Sequence, residues 1–354
     1  MQQREPAHHA TEVVAAALGG ASVITVAGPD AAAFLQGQLA NDVAGMENPA
    51  ARRSLYLNHK GHAIAEVLVL RRGRQEFALL EEGGAAAWVE AELVRHVIFD
   101  EVQVGSPRPA ALVSVQGEGA GAVLEAAFGL AAPAPGAVAV GTAPTGEQLT
   151  VWARRRSESG GYDLLVEGSP DSAAVLLEAL EAGGARDVGA AGLDLLRVRA
   201  LLALAPQDAG EGVLPQEAGL EAALSYRKGC YLGQEIMARI EARGKLRRGL
   251  VRLRLGSDPR LASVTGAAGE AGAAGATGAA GATGAAGARG AAGATSAGSR
   301  ELRFDGRVVG LLGTVADSGD GFEALAVLRR DLPGDARVVA PGDVDAVVVG
   351  ASSA

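Results

Sequence analysis

The sequence predicts an α+β fold: two successive strand-and-helix units followed by a small antiparallel barrel. Three observations lead there. Short alternating apolar runs are joined by hairpin turns such as Asn58-His59-Lys60-Gly61, not by the helical crossovers a parallel sheet requires. Helical stripes interrupt those strands in two successive groups. Beyond Leu250, turn residues recur about every eight to twelve positions between short strands, the rhythm of a small barrel.

Bulk properties narrow the function classes. A chain of 354 residues exceeds one compact core, so two or three domains are expected. The expected boundaries are a first α+β subdomain at 1–105, a second at 106–245 and a barrel at 246–354. A net charge of −9 argues against a general nucleic-acid coat and leaves room for a local basic patch with a local RNA contact. The single cysteine, Cys230, excludes a disulfide framework, fits a reducing compartment, and excludes an iron–sulfur cluster held by this chain alone. Met1 to Thr11 is polar, and no apolar run approaches the ~20 residues of a membrane span. The expected address is the cytoplasm, with no membrane partner.

In order along the chain, Thr11 to Leu18 reads as a short helical lead and Ser22 to Val26 as a strand ending at Gly28-Pro29. Asp30 is placed to cap a helix whose stripe is Ala31, Phe34, Leu35 and Leu39. Ser54 to Leu57 and Ala63 to Leu70 form a hairpin around Gly61, and Phe77 to Leu80 a third strand. His59 and His62 on that turn lack a third ligand and read as solvated. Trp88, Val89, Leu93 and Val97 mark a helix over Ala85 to Val97. The second group repeats the scheme: strand Ala111 to Val115, helix Gly119 to Phe128, strands Leu149 to Ala153 and Tyr162 to Val166, and helix Pro170 to Leu180 with Ala174, Leu177 and Leu180 inward. Gly192 to Leu204 is helical, with Leu193, Leu196, Ala200 and Leu204 on one face and Asp194 and Arg197 on the other. Pro206 and Pro215 forbid helix in the loop that follows. After the strand Leu250 to Leu255, glycine recurs at every third position ten times from Gly266 to Gly293 without one proline. This insertion, at about 264–299, is expected to be flexible rather than collagen-like. Barrel strands resume at Leu302 to Phe304, Val308 to Val315, Ala324 to Leu328 and Ala346 to Val349.

Chemistry concentrates in Tyr226-Arg227-Lys228-Gly229-Cys230-Tyr231-Leu232-Gly233-Gln234-Glu235. Two glycines bracket the sulfur, and two cations precede it; such neighbours favour a thiolate over a thiol. A small buried hydrophobe in a loop is the competing reading of this cysteine. From Arg227 to Arg254, nine Lys or Arg face only Glu235 and Glu241, either as a solvated face or as an anion-binding rim.

Lys228 to Glu235, continued by Arg239 and Arg243-Gly244, resembles the signature of the YgfZ-type folate-binding proteins, relatives of the glycine-cleavage T-protein (aminomethyltransferase). Gly28-Pro29-Asp30-Ala31 with Phe34-Leu35-Gln36 is similar to the first strand and helix of the T-protein family, and Pro215-Gln216-Glu217 is similar to a YgfZ loop. The resemblance implies two ferredoxin-like subdomains and a C-terminal antiparallel β-barrel beside a folate cavity. It implies tetrahydrofolate or a related folate as cofactor. It further implies a role in iron–sulfur cluster assembly or repair and, through iron–sulfur enzymes, in tRNA modification, with those enzymes or cluster-assembly proteins as partners. Cys230 and Lys228 become the working pair, and Tyr162, Asp163, Arg197, Tyr231, Gly233, Gln234, Glu235 and Arg239 the folate-binding set. In the aminomethyltransferases a catalytic Asp follows the Asn-x-x-Gly turn; here Ala65 takes its place, with Glu66 adjacent. Alanine moves no proton, which shifts the resemblance from T-protein to YgfZ and leaves enzymatic activity open. A folate-dependent one-carbon transferase using Glu66 or Asp163 as base, and a non-catalytic scaffold, are the alternatives.

Overall fold

A computed structural model describes residues 12–260, 300–333 and 336–352. The Gly-x-y insertion expected at about 264–299 lies outside the described residues.

The first unit runs β2 (Ser22–Ala27), α1 (Ala31–Gln38), β3 (Ala50–Leu57), β4 (Ala63–Arg71), β5 (Glu76–Glu81), α2 (Ala86–His96) and β6 (Gln103–Val104). The second runs β7 (Arg108–Gln116), α3 (Ala120–Phe128), β8 (Val138–Thr142), β9 (Gln148–Ala153), β10 (Gly161–Glu167), α4 (Ser172–Ala182) and β11 (Arg186–Asp187). Both units use one strand order: β3-β4-β5-β2 is mirrored by β8-β9-β10-β7, and the two join where β2 pairs with β7. The stretch Val14–Leu18 is a strand, β1, and not the expected helical lead; it pairs antiparallel with β7 and parallel with β11. Its small side chains carry no helical stripe strong enough to oppose an open sheet edge, and four of its five residues are buried there.

The sheet curls until its ends meet, and the Ala51 N–H of β3 donates to the Gly136 carbonyl just before β8 at 2.8 Å. On its outer face α1 and α2 cover Ile24, Val67, Phe77 and Leu79, while α3 and α4 cover Val113, Leu149 and Leu164. Tyr56 meets Trp88 edge-on at 5.2 Å, which leaves Trp88 at the rim. In α4 the buried residues are Ser172, Leu176 and Leu180, with Leu177 packed partly against the same core; of the expected inward positions only Ala174 is exposed.

A fifth helix, α5 (Gly189–Arg199), ends earlier than Leu204. Its Leu193 packs into the curl of the sheet beside Trp152. Arg197, expected on the outer face, is buried and reaches the barrel instead. After α5, a loop with a short 3-10 turn at Pro215–Ala218 leads to α6 (Gln234–Arg243). The barrel closes as β12 (Arg248–Leu255), β15 (Phe322–Arg329), β14 (Arg307–Asp317), β13 (Glu301–Phe304), β16 (Arg337–Ala340) and β17 (Val344–Ala351), antiparallel throughout. Mixed strand-and-helix units with a six-stranded barrel are the expected α+β architecture. No helix among the described residues is long and apolar enough to cross a membrane.

Candidate functional site

The cysteine loop is fixed on both sides of its sulfur. Lys228 donates from Nζ to the carbonyls of Gln36, Leu39 and Asn41 at the C-terminal end of α1, where partial negative charge gathers. Burial draws its pKa down to about 8, opposed by Asp42. The same ammonium stands 4.8 Å from the centre of the Tyr231 ring. Tyr231 is buried against Ala40, Leu57 and Met237, and burial pushes its phenol up to about 12. Gly233 follows at φ +82, where a Cβ would stand 2.7 Å from the Asn58 carbonyl, so only glycine lets this loop rest on the β3–β4 turn. On the turn, Gly61 at φ +77 leaves room for Met237. Cys230 lies between these anchors and is exposed, which replaces the reading of a buried hydrophobe.

Lys228 thus spends its donors on main-chain carbonyls. Gln234 accepts from the Tyr231 N–H at 3.2 Å and closes the loop onto α6. Glu235 and Arg239 are exposed on α6. The cationic stretch divides: Arg248 is bound to Glu217 and Arg252 to Glu323, whereas Arg227, Lys245 and Arg247 are exposed.

A second centre lies inside the curled sheet, between the two units. Alternation brings one face of each strand inward: Arg53 from β3, Glu66 and Leu68 from β4, Leu80 and Glu82 from and after β5, Trp152, Arg154 and Arg156 from and after β9, and Asp163 from β10. The charges alternate in a chain. Arg53 Nε meets Glu66 Oε1 at 2.7 Å, Arg154 meets the same oxygen at 2.9 Å, Arg156 meets Glu82 at 2.9 Å and Asp163 at 2.6 Å. Burial alone would raise the Glu66 carboxyl; Arg53 and Arg154 outweigh it and hold the group at about 2. Glu82 is likewise lowered, its burial outweighed by Arg156 and Arg154. About 20 Å³ of open space remains among these side chains.

Here the placement of expected residues departs from the sequence reading. Asp163 is buried and gripped by Arg156 through both oxygens. Tyr162, one residue earlier, faces the other side of β10, against α3 and the core of the second unit. One ligand face does not receive both. On β4 the cavity-facing residue is Glu66, while Ala65 is packed under α1 and α2. Arg197 belongs to a third centre, donating to Asp208 Oδ2 at 2.7 Å, to the Leu202 carbonyl and to Thr314 Oγ1 of β14. It is a buried tie between α5 and the barrel, not a solvated charge, because the barrel covers the helix face opposite the sheet. Arg53, Arg154, Arg156, Glu82 and Trp152 were not singled out from sequence. The alternate positions Trp152, Arg154 and Arg156 were the available signal, since such spacing sends all three to one face.

Comparison with known proteins agrees with this architecture. The family described as the GCVT N-terminal domain matches residues 2–228. The aminomethyltransferase of Geobacillus kaustophilus (strain HTA426) is 32% identical over 233 residues, covering 64% of this chain and 63% of that protein. The chain therefore spans just under two thirds of that relative's length. The tRNA-modifying protein YgfZ of Edwardsiella ictaluri (strain 93-146) is 30% identical over 240 residues, covering 67% and 70%. In structure, the glycine cleavage system aminomethyltransferase T from Bartonella henselae overlays with a TM-score of 0.68 at 20% identity, over 96% of this chain and 85% of that one, and so shares the fold. With the family match covering well over half of its length, and with relatives of both names, this chain belongs to the GCVT N-terminal domain family.

Proposed function

We propose that this protein binds tetrahydrofolate or a related folate and supports iron–sulfur cluster assembly or repair, and through iron–sulfur enzymes tRNA modification, with Cys230 as its working thiol. The observation that carries the reading is the mounting of Cys230. Lys228 is tied to three carbonyls, Tyr231 is buried and Gly233 is pressed on a turn, yet the sulfur between them is exposed. A cysteine kept for packing would be buried. Rigid anchoring of an exposed thiol suits exchange with a partner's thiol or a shared cluster ligand.

For folate, the inner cavity supplies both acceptors and donors of the matching kind. Asp163 and Glu66 accept N–H bonds of the kind an amino-pyrimidinone ring offers, and Trp152 and Arg154 donate. A ring does not fit the ~20 Å³ present, so its entry requires Arg156 to release Asp163. Bound folate would supply a nitrogen able to carry a one-carbon unit. The transferase alternative is weaker: a carboxyl held at about 2 is a poor base near neutral pH, and this is the state of Glu66.

A paired assay tests the proposal, with tetrahydrofolate affinity and recovery of an iron–sulfur enzyme in cells both measured. Cys230→Ala is expected to bind folate and fail to restore the enzyme; Asp163→Asn is expected to lose folate. Wild-type behaviour of both variants would remove the assignment, and aminomethyl transfer to folate by the purified protein would favour the transferase.

A further inference from the structure

The inner cavity holds more unpartnered donors than unpartnered acceptors. Glu66 Oε1 takes N–H bonds from Arg53 and Arg154, and its Oε2 takes the Ala205 N–H at 3.3 Å. Both Asp163 oxygens are occupied by Arg156, and Glu82 is paired with the same guanidinium. Three buried donors, Arg53 Nη2, Arg154 Nη1 and Trp152 Nε1, are left without hydrogen-bond partners, against one acceptor, Glu82 Oε2, whose charge is offset by Arg156 at 2.9 Å. All three side chains line the one cavity. Trp152 is 2% exposed and Arg154 6%, so bulk solvent does not serve them. Buried N–H groups without acceptors are rare in folded proteins and mark places where a bound species completes the bonding.

What completes it is limited by number and size. A water accepts two hydrogen bonds, one fewer than the donors present, whereas a carboxylate offers about four acceptor sites on two oxygens. The ~20 Å³ available exceeds the need of one water and excludes any ring. Guanidiniums pair with carboxylates through charge-assisted bonds, and here two of them each keep one arm uncommitted. We propose that Arg53, Trp152 and Arg154 form a binding site for a formate-sized carboxylate. The site shares Trp152 and Arg154 with the cavity proposed above for folate, but formate binding there requires neither folate nor Cys230 and is read separately. Three guanidiniums already face three carboxylates in the cavity, so affinity comes from the hydrogen bonds and not from net charge. A ligand of three heavy atoms then binds with a Kd of about 1 mM at best.

The test is thermal unfolding of the full chain in rising sodium formate, against sodium chloride at matched ionic strength. The wild-type midpoint is expected to rise and saturate with formate and to lack that response in chloride. Trp152→Phe keeps the ring and removes one donor; Arg53→Gln removes another from a side chain that is partly exposed. Each is expected to weaken apparent formate affinity by about tenfold, as loss of one charge-assisted or buried bond does. If either variant does not fold, the other still decides. Identical wild-type curves in formate and chloride, or wild-type response in the folded variants, would overturn the site and leave water as the occupant.

Discussion

At Cys230 the main-chain path, and not the neighbouring charges, decides what the thiol can do. The loop exposes it, and as the sole cysteine it is expected to take one equivalent of iodoacetamide per native chain, read by intact mass; protection until denaturation would contradict the exposure seen here. Lys228 acts on α1. Lys228→Met removes three carbonyl partners and is expected to lower stability by about 1–2 kcal/mol in urea unfolding. Glu66 gives a pH signature. Its folded value of about 2 lies below the ordinary 4.5, so the unfolded chain binds the proton more tightly. The stability it contributes is full above about 4.5 and is lost as pH falls towards about 2. Urea midpoints across that window should fall less steeply in Glu66→Gln than in wild type, the two curves converging at the acid end. The motif residues themselves were legible from spacing. That Lys228 serves a helix end was not, because its partners lie some 190 positions away.

Among the elements, α6 and the β3–β4 hairpin are locked by two glycines: Gly233 rests on the backbone of the turn, and Gly61 lies under the Ile236 and Met237 side chains of α6. Gly233→Ala places a Cβ 2.7 Å from the Asn58 carbonyl at a positive φ, and is expected to cost about 1–3 kcal/mol by chemical denaturation. A loss within about 0.5 kcal/mol, the range of an ordinary surface substitution, would mean that the loop re-seats. Strands are the most legible elements, since alternation and turn residues agree at Asn58 to Gly61. Two kinds of element escaped. β1 carries the pattern of a helix as readily as that of a strand, because alanine-rich stretches suit either state until a sheet edge claims them. β8 is short and half-exposed, with little hydrophobic alternation to announce it.

For the whole molecule, the tie between α5 and the barrel is the feature that local sequence hides most completely. Arg197, Asp208 and Thr314 meet in a buried cluster, and Gly313 admits it, since a Cβ there would stand 2.4 Å from Asp208. Arg197→Ala leaves Asp208 buried and uncompensated, so a loss of about 3–5 kcal/mol is expected in equilibrium unfolding; a solvated arginine would cost almost nothing. From the order of residues alone came the α+β class, the duplicated strand-and-helix units, the barrel and the family of the Lys-Gly-Cys segment. The class, units and barrel rest on periodicity and turn chemistry, which act over a few residues; the family rests on the resemblance of a motif. Only the folded chain decided that Asp163 is held by Arg156, that Glu66 and not position 65 faces the cavity, and that the unpartnered donors of Arg53, Trp152 and Arg154 line one cavity. Burial and charge pairing depend on which distant strands the curled sheet brings face to face, and local pattern does not carry that information.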